Sequence, residues 1–353
     1  RPEVHKAIID ADKMSLELYN GHGSAMAQVY NHIIMPLANR RDKETQVIWG
    51  ILDFERRFGR KPEGMWLAET AVDLETLDIM AEHGIKFTIL AANQARRYRR
   101  IPEGNGNNGH AFMNGADYDP LNLTAEAEAN GNAGGSGKDG SSQEPGEDLE
   151  TVEDIFSTGR FEGMPPHMQH LRHPAQQPEH FEDSEDTWVD GIDSRRPYLC
   201  RLPSGRQIYL YFYDEKRSQE VAFGGILTDG KKFAESLMSG FDHETDSNQL
   251  VHIATDGESY GHHHRNGDMA LAYCMNYIKN SDRARLTNYS EFLTLCEVEY
   301  EVEIRENSAW SCAHGVERWR SNCGCHTGGP PEWTQAWRTP LRDCLDWLRD
   351  RFA

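Results

Sequence analysis

The sequence predicts an α/β protein, and three observations carry that reading. Residues 63–91 run through strand-like, helix-like and again strand-like patterns in the order of a β-α-β unit. Residues 206–214 and 251–254 repeat the apolar pattern of a buried strand. Stretches with apolar residues at helical spacing separate or follow these runs, the alternation that builds a sheet covered by helices. At 353 residues the chain has room for about two domains, or for one large α/β domain with insertions.

Taken in order, the chain enters a helical pattern at once in "PEVHKAIIDADKMSLELY". It opens on Arg1 rather than Met, so a processed or truncated piece is expected, one in which any signal peptide would be invisible. Residues 25–39 and 42–59 read as two further helices. In the second, Val47, Ile51, Phe54 and Phe58 share a face and Gly59 closes it. "EGMWLAE" (63–69) is a short strand, "DLETLDIMAEHG" (73–84) a helix and "IKFTILA" (85–91) a second strand, which leaves Glu69 at the carboxyl end of the first strand. From 103 to 186 the composition turns to Gly, Asn, Asp, Glu, Pro and His with few core residues, the signature of a disordered or loosely held insertion. Order returns with strands at 206–214 and 221–227, a helix over 231–241, a strand at 251–254, a helix from Asp268, a strand at 297–304, a Trp/Cys-rich loop and a last helix in "PLRDCLDWLRDRF".

The formal net charge of -20, from 37 Lys and Arg against 57 Asp and Glu, argues against nucleic acid as a partner, because the summed field repels phosphates. Mean hydropathy is -0.73 and no run of about 18 apolar residues occurs, so no membrane-spanning helix is expected. Seven cysteines, an odd number in a large chain, fit reduced thiols or a metal site better than a disulfide framework and favour a cytoplasmic location.

The stretch "HIATDGESYGHHH" (252–264) carries a strand into Asp256, Gly257 and Glu258, then into three histidines, so the acids sit in a strand-to-helix loop. Such loops at the carboxyl ends of strands are where α/β folds gather chemistry. Glu69 and Asp256 each end a strand of the same α/β region. Two carboxylates at one mouth are what a retaining glycosidase uses, one as nucleophile and one as acid/base. The plainer alternative is that each acid only caps the helix after it.

"YNHIIMPLA" (30–38), "FGRKPEGMWLAE" (58–69) and "TDGESYG" (255–261) together resemble the signature blocks of glycoside hydrolase family 57. "TDGESYGHHH" with "SAWSCAHGVERWRSNCGC" (308–325) is similar to a subgroup that carries an added domain of unknown function. The resemblance implies an incomplete (β/α)7 barrel followed by a mainly helical C-terminal segment, no catalytic metal or cofactor, and retaining chemistry of the α-amylase or 4-α-glucanotransferase type on α-glucans or maltooligosaccharides. It makes Glu69 the nucleophile and Asp256 the acid/base. It also divides the chain into a first part of the barrel (1–102), the insertion (103–186), a second part of the barrel (187–290) and a C-terminal strand, loop and helix (291–353). Family members begin with a strand bearing a His-containing block. Nothing before Glu69 supplies one, so the first barrel strand is expected to be missing from this piece.

His262 and His264 would share a face if extended, beside Asp256, which suggests either substrate contact or a metal. Glu258, behind Gly257, suits a sugar hydroxyl or the orientation of its neighbours. His32 is a candidate sugar contact or a core histidine. Trp66 is the tryptophan placed by Glu69 to stack on a sugar, whereas Trp310, Trp319, Trp333 and Trp337 have no such positional argument. Cys312, His314, Cys323 and Cys325 form C-x-H and C-x-C pairs, four soft ligands whose one-residue spacers are shorter than zinc sites ordinarily use. Two rival readings follow: a metal-dependent deacetylase or mannosidase with Asp256, His262 and His264 as ligands, and a non-catalytic glycan-binding relative.

Overall fold

The computed structural model describes residues 1–102, 188–325, 329–330 and 332–352. The insertion expected over 103–186 lies outside them. Helix α1 (Pro2–Leu18) leads to β1 (Ala27–Gln28), which pairs in parallel with β2 (Met65–Trp66). Between them runs α2 (Arg40–Phe58), capped by Asn39, whose side chain accepts the Asp42 N–H, and closed by Gly59 at φ 69°. After β2 come α3 (Leu74–Glu82) and β3 (Phe87–Ala91). A parallel bridge from Gly64 to Phe87, and the Thr88 hydroxyl on the Met65 carbonyl at 2.8 Å, carry the pairing from β2 on to β3. The β-α-β unit at 63–91 is therefore present.

A five-stranded sheet has the order β3-β6-β5-β7-β4, with β4 Ala95–Arg100, β5 Tyr198–Arg201, β6 Gln207–Tyr213 and β7 Tyr300–Ile304. β6 is parallel to β3, whereas β5 is antiparallel to β6 and β4 antiparallel to β7. Glu301 of β7, 4% exposed, receives Arg99 of β4 at 2.7 Å and Arg201 of β5 at 2.6 Å, so one carboxylate joins three strands. Val189 exchanges both backbone hydrogen bonds with Tyr98 on the other edge of β4, at 2.8 and 3.0 Å, and the guanidinium groups of Arg97 and Arg99 lie over the Trp188 ring. The chain thus leaves β4 and returns beside it.

Every residue of β3 is buried, the pattern of a strand covered on both faces. On one face Val47, Leu77, Leu90, Leu210 and Phe212 pack with α2 and α3. On the other, Phe87, Ile89, Tyr209 and Tyr211 meet Tyr289 and Phe292 of α7 (Tyr289–Leu295). A third cluster joins α4 (Glu215–Ala222), α5 (Gly230–Met238) and α6 (Gly267–Lys279) through Val221, Phe233, Ala234, Ala270 and Cys274. The last element is α8 (Arg338–Phe352). No helix among the described residues is long and apolar enough to cross a membrane.

Three expectations are corrected. The helix read over 25–39 is β1, a loop and a 3-10 turn at Met35–Leu37. Pro36 disfavours helical backbone before it, and α2 takes up the freed amides, Tyr30 N–H on the Gln46 carbonyl at 3.2 Å and Asn31 N–H on the Gln46 side chain at 2.7 Å. The strand read over 221–227 is the end of α4 and a 3-10 turn at Ile226–Thr228, because Asp214 accepts the Arg217 N–H and nucleates the helix immediately after β6. Residues 251–256 are assigned to no strand. His252 instead accepts the Asp214 N–H at 2.9 Å and Ala254 donates to the Ser218 hydroxyl at 3.1 Å.

Candidate active site

Beyond β2 the chain makes a 3-10 turn, Ala68–Thr70, in which Glu69 (φ 56°, ψ 19°) and Thr70 (φ 52°) both have left-handed backbone. Two such residues in succession, neither of them glycine, cost on the order of 1–3 kcal/mol each and persist only where the surroundings over-determine them. Those surroundings are present. Gln94, 1% exposed, donates its amide to the Thr70 carbonyl at 2.8 Å and accepts the Ala91 N–H at 2.9 Å. The Trp310 N–H reaches the Glu69 carbonyl at 3.2 Å and the Thr70 hydroxyl at 3.1 Å, and Val72 pairs with Ser308.

Oε2 of the Glu69 carboxylate accepts the Trp310 indole N–H at 2.9 Å and the Ser311 hydroxyl at 2.6 Å, while Oε1 faces Nε2 of His32 at 3.4 Å. Burial is the largest single influence and acts to raise the pKa. The hydrogen bonds from Ser311, Trp310 and His32 outweigh it and hold the carboxyl below the usual range. Glu69 is therefore a carboxylate at neutral pH. It caps nothing: Asp73 caps α3 by accepting the Thr76 N–H at 2.9 Å.

Gln28, Val29, Tyr30, Asn31, His32, Trp66 and Ala68 line a small open cleft beside Glu69. His32, with 73% of its side chain exposed, is a surface group on this cleft and not a core histidine. The Trp66 ring meets Trp310 edge to face at 5.3 Å, and Trp310 also meets Tyr213 at 6.0 Å. A larger pocket, lined by Arg195, Arg196, Gln249 and Glu297 among others, contains none of the sequence-predicted site residues.

Asp256 is exposed, with extended backbone (φ -61°, ψ 139°), at the entrance of a 3-10 turn over Gly257–Tyr260 that its side chain does not cap. Glu258 accepts the backbone N–H groups of His262 and His263 on its carbonyl, and its carboxylate lies 3.7 Å from Nε2 of His263. The extended run that would align His262 with His264 does not form. Nε2 of His264 donates to the Ala222 carbonyl at 3.0 Å, whereas His262 stacks on His263. Asp256, His262 and His264 do not form one of the ligand groups close enough to hold a metal; among the described residues that arrangement occurs only at Cys312, His314, Cys323 and Cys325.

There the four ligand atoms lie within 4.8 Å of one another, and all seven cysteines are free thiols. Trp319 packs on the small cluster of Ile34, Ala71, Ala309 and Val316, while Trp333 and Trp337 are mostly exposed. Trp310 and Ser311 are the functional partners that sequence reasoning missed. They lie 241 and 242 residues from Glu69, and no local pattern marks them as its donors.

The sequence model of glycosyl hydrolase family 57 matches residues 5–118 and 180–305, and the chain belongs to that family. Among curated proteins nothing matches. Solved structures of like fold include an exo-type maltose-forming amylase from a Pyrococcus species, 13% identical with a TM-score of 0.56, over 96% of this chain and 46% of that one. A family 57 branching enzyme from Thermococcus kodakaraensis is 13% identical with a TM-score of 0.52, over 90% of this chain and 55% of its own. Another, from Pyrococcus horikoshii, is 14% identical with a TM-score of 0.50, over 90% and 52%. The chain spans about half the length of these proteins, and at such identity the likeness establishes the fold.

Proposed function

We propose that the chain carries the catalytic centre of a retaining glycoside hydrolase or transglycosylase acting on α-glucans or maltooligosaccharides, built on an incomplete (β/α)7 barrel. The parallel run β1-β2-β3-β6 supports the barrel reading. The observation that carries the function is the Glu69 carboxylate, kept ionised in the turn beyond β2 and in contact with His32, which lines the cleft. Two donors occupy Oε2, so Oε1, with only the longer His32 contact, is the oxygen with a free lone pair.

In the first step Oε1 bonds to the anomeric carbon as the glycosidic C–O bond breaks, and the leaving oxygen takes the proton of Asp256. In the second, Asp256 accepts a proton from water or a sugar hydroxyl, whose oxygen displaces Glu69 from the same carbon. His32 and Trp66 contact the sugar at the cleft, and Glu258, His262 and His264 contact it beside Asp256.

Product analysis on maltooligosaccharides tests this reading. Wild-type chain is expected to hydrolyse or redistribute them with retained configuration, and Glu69→Gln to lose that activity. Asp256→Ala should keep turnover of substrates with good leaving groups, accelerated by azide, which captures the Glu69 adduct as a glycosyl azide of retained configuration. Activity surviving Glu69→Gln overturns the assignment. Binding without turnover in the wild type identifies a glycan-binding relative instead.

A further inference from the structure

We infer that Cys312, His314, Cys323 and Cys325 bind a structural zinc ion, which braces the loop that delivers Trp310 and Ser311 to Glu69. The distances carry it. A tetrahedral zinc with Zn–S near 2.3 Å and Zn–N near 2.0 Å sets sulfur atoms about 3.8 Å apart, and sulfur and nitrogen about 3.5 Å apart. Cys312 and Cys325 hold their Sγ atoms 3.9 Å apart, and Sγ of Cys325 lies 3.4 Å from Nδ1 of His314. With Cys323 included, the ligand atoms stay within 4.8 Å of one another. A sulfur separation of 3.9 Å is nearly twice a disulfide bond, about 2.05 Å.

The short spacers, unfavourable on sequence grounds, are accommodated by two glycines. Gly315 (φ 80°) follows His314 and turns back to donate its N–H to the Cys312 carbonyl at 3.1 Å. A Cβ at Gly315 would lie 2.3 Å from the Asn307 carbonyl oxygen, so only glycine fits. Gly324 (φ 85°) reverses the chain between Cys323 and Cys325, and its N–H is fixed by the Gln335 side chain at 3.0 Å. Arg338 adds a second kind of observation. Its Nη2 donates to the Cys325 carbonyl at 3.3 Å, while its Nη1 is buried with no hydrogen-bond partner among the described residues. A zinc bound by three thiolates and one imidazole carries net negative charge, and a guanidinium beside it supplies the compensating cation.

Trp310 and Ser311 immediately precede the first ligand, Cys312, so a metal that fixes Cys312 fixes both donors to Oε2 of Glu69. The site needs no activity to be detected, so it stands or falls separately from the glycosidase reading. Full-length chain purified under reducing conditions is expected to contain one equivalent of zinc by elemental mass spectrometry. Replacement by cobalt should give the thiolate charge-transfer and strong visible bands of a tetrahedral site. Cys325→Ser should lose the metal, and Cys344→Ser, an exposed thiol outside the group, should keep it. Because Cys325→Ser can fail to fold, His314→Cys serves as the second variant: it should retain one equivalent with a shifted cobalt spectrum. Metal-free soluble protein that takes up neither zinc nor cobalt, or a cobalt spectrum unmoved by His314→Cys, overturns the proposal.

Discussion

Trp310 meets Glu69 twice, once through its backbone N–H on the Glu69 carbonyl at 3.2 Å and once through its indole N–H on Oε2 at 2.9 Å. One residue from the far end of the chain thus fixes both the strained backbone and the charge of the proposed nucleophile. Ser311 completes the arrangement on the same oxygen at 2.6 Å.

The acidic limb of kcat/KM reports this charge. Glu69 acts as an anion and its pKa is lowered, so in the wild type the limb lies below the ordinary glutamate value, near 4.3. Removing a donor weakens the charged form and raises the pKa. Ser311→Ala and Trp310→Phe should each move the limb to higher pH, since each removes a hydrogen bond that favours the charged form. The check is a pH profile on a substrate with a good leaving group; an unmoved limb separates Glu69 from the titrating group.

Strain at Glu69 can be read by comparing two inactive variants. Glu69→Ala and Glu69→Gly lose the same hydrogen bonds, but only glycine adopts φ 56° without steric penalty. Glu69→Gly should be more stable than Glu69→Ala by about 1 kcal/mol in urea unfolding. Equal stabilities would mean that the turn relaxes once the carboxylate is gone.

His252 predicts a pH dependence of folding. Its Nε2 donates to the Ser194 carbonyl at 3.1 Å, so Nδ1 accepts the Tyr289 hydroxyl at 3.0 Å, and burial lowers its pKa from the ordinary 6.5 to about 4. The unfolded chain therefore binds the proton more tightly. The associated stability is present above pH 6.5 and is lost as pH falls from 6.5 to about 4, by about 3 kcal/mol in total. Denaturant titrations across that window should show the slope in the wild type, and His252→Gln should flatten it.

At Gly50 the backbone of α2 meets β1 directly. A Cβ there would sit 2.2 Å from the Gln28 carbonyl oxygen, which no side-chain movement relieves. Gly50→Ala should destabilise the fold by about 1–3 kcal/mol. Gln28 also lines the cleft, so the displaced strand should raise KM for oligosaccharides in whatever protein remains folded. A variant with unchanged unfolding and unchanged KM would show that α2 slides without disturbing β1.

What could be read from the sequence was what is local. The β-α-β unit at 63–91, the face of α2 and the soft-ligand spacing of Cys312 to Cys325 all follow from neighbours within a few residues. Residues 25–39 depart from the helix their spacing suggests because the amides of Tyr30 and Asn31 are satisfied by Gln46, a partner that helical spacing does not reveal. Residues 221–227 have the apolar content of a strand in Val221, Phe223 and Ile226, yet the cap at Asp214 starts a helix that runs into them. The hold of Trp310 and Ser311 on Glu69 was invisible for a different reason. It depends on β7 entering the middle of the sheet and setting the loop after it across the end of β2.

The five-stranded sheet takes β3 and β4 from one side of residues 103–187 and β5, β6 and β7 from the other, and β7 lies between β5 and β4. Tyr98 and Val189 add a two-way backbone pairing at the edge of β4. Covalent continuity through 103–187 is therefore not what keeps these strands together. A chain nicked by a protease within that stretch would become two polypeptides gripping each other by Arg99 to Glu301, Arg97 to Glu303 and the β4–β7 ladder. Two separately expressed halves, neither holding a complete sheet, would have in each other the missing strands and the donors that Glu69 requires.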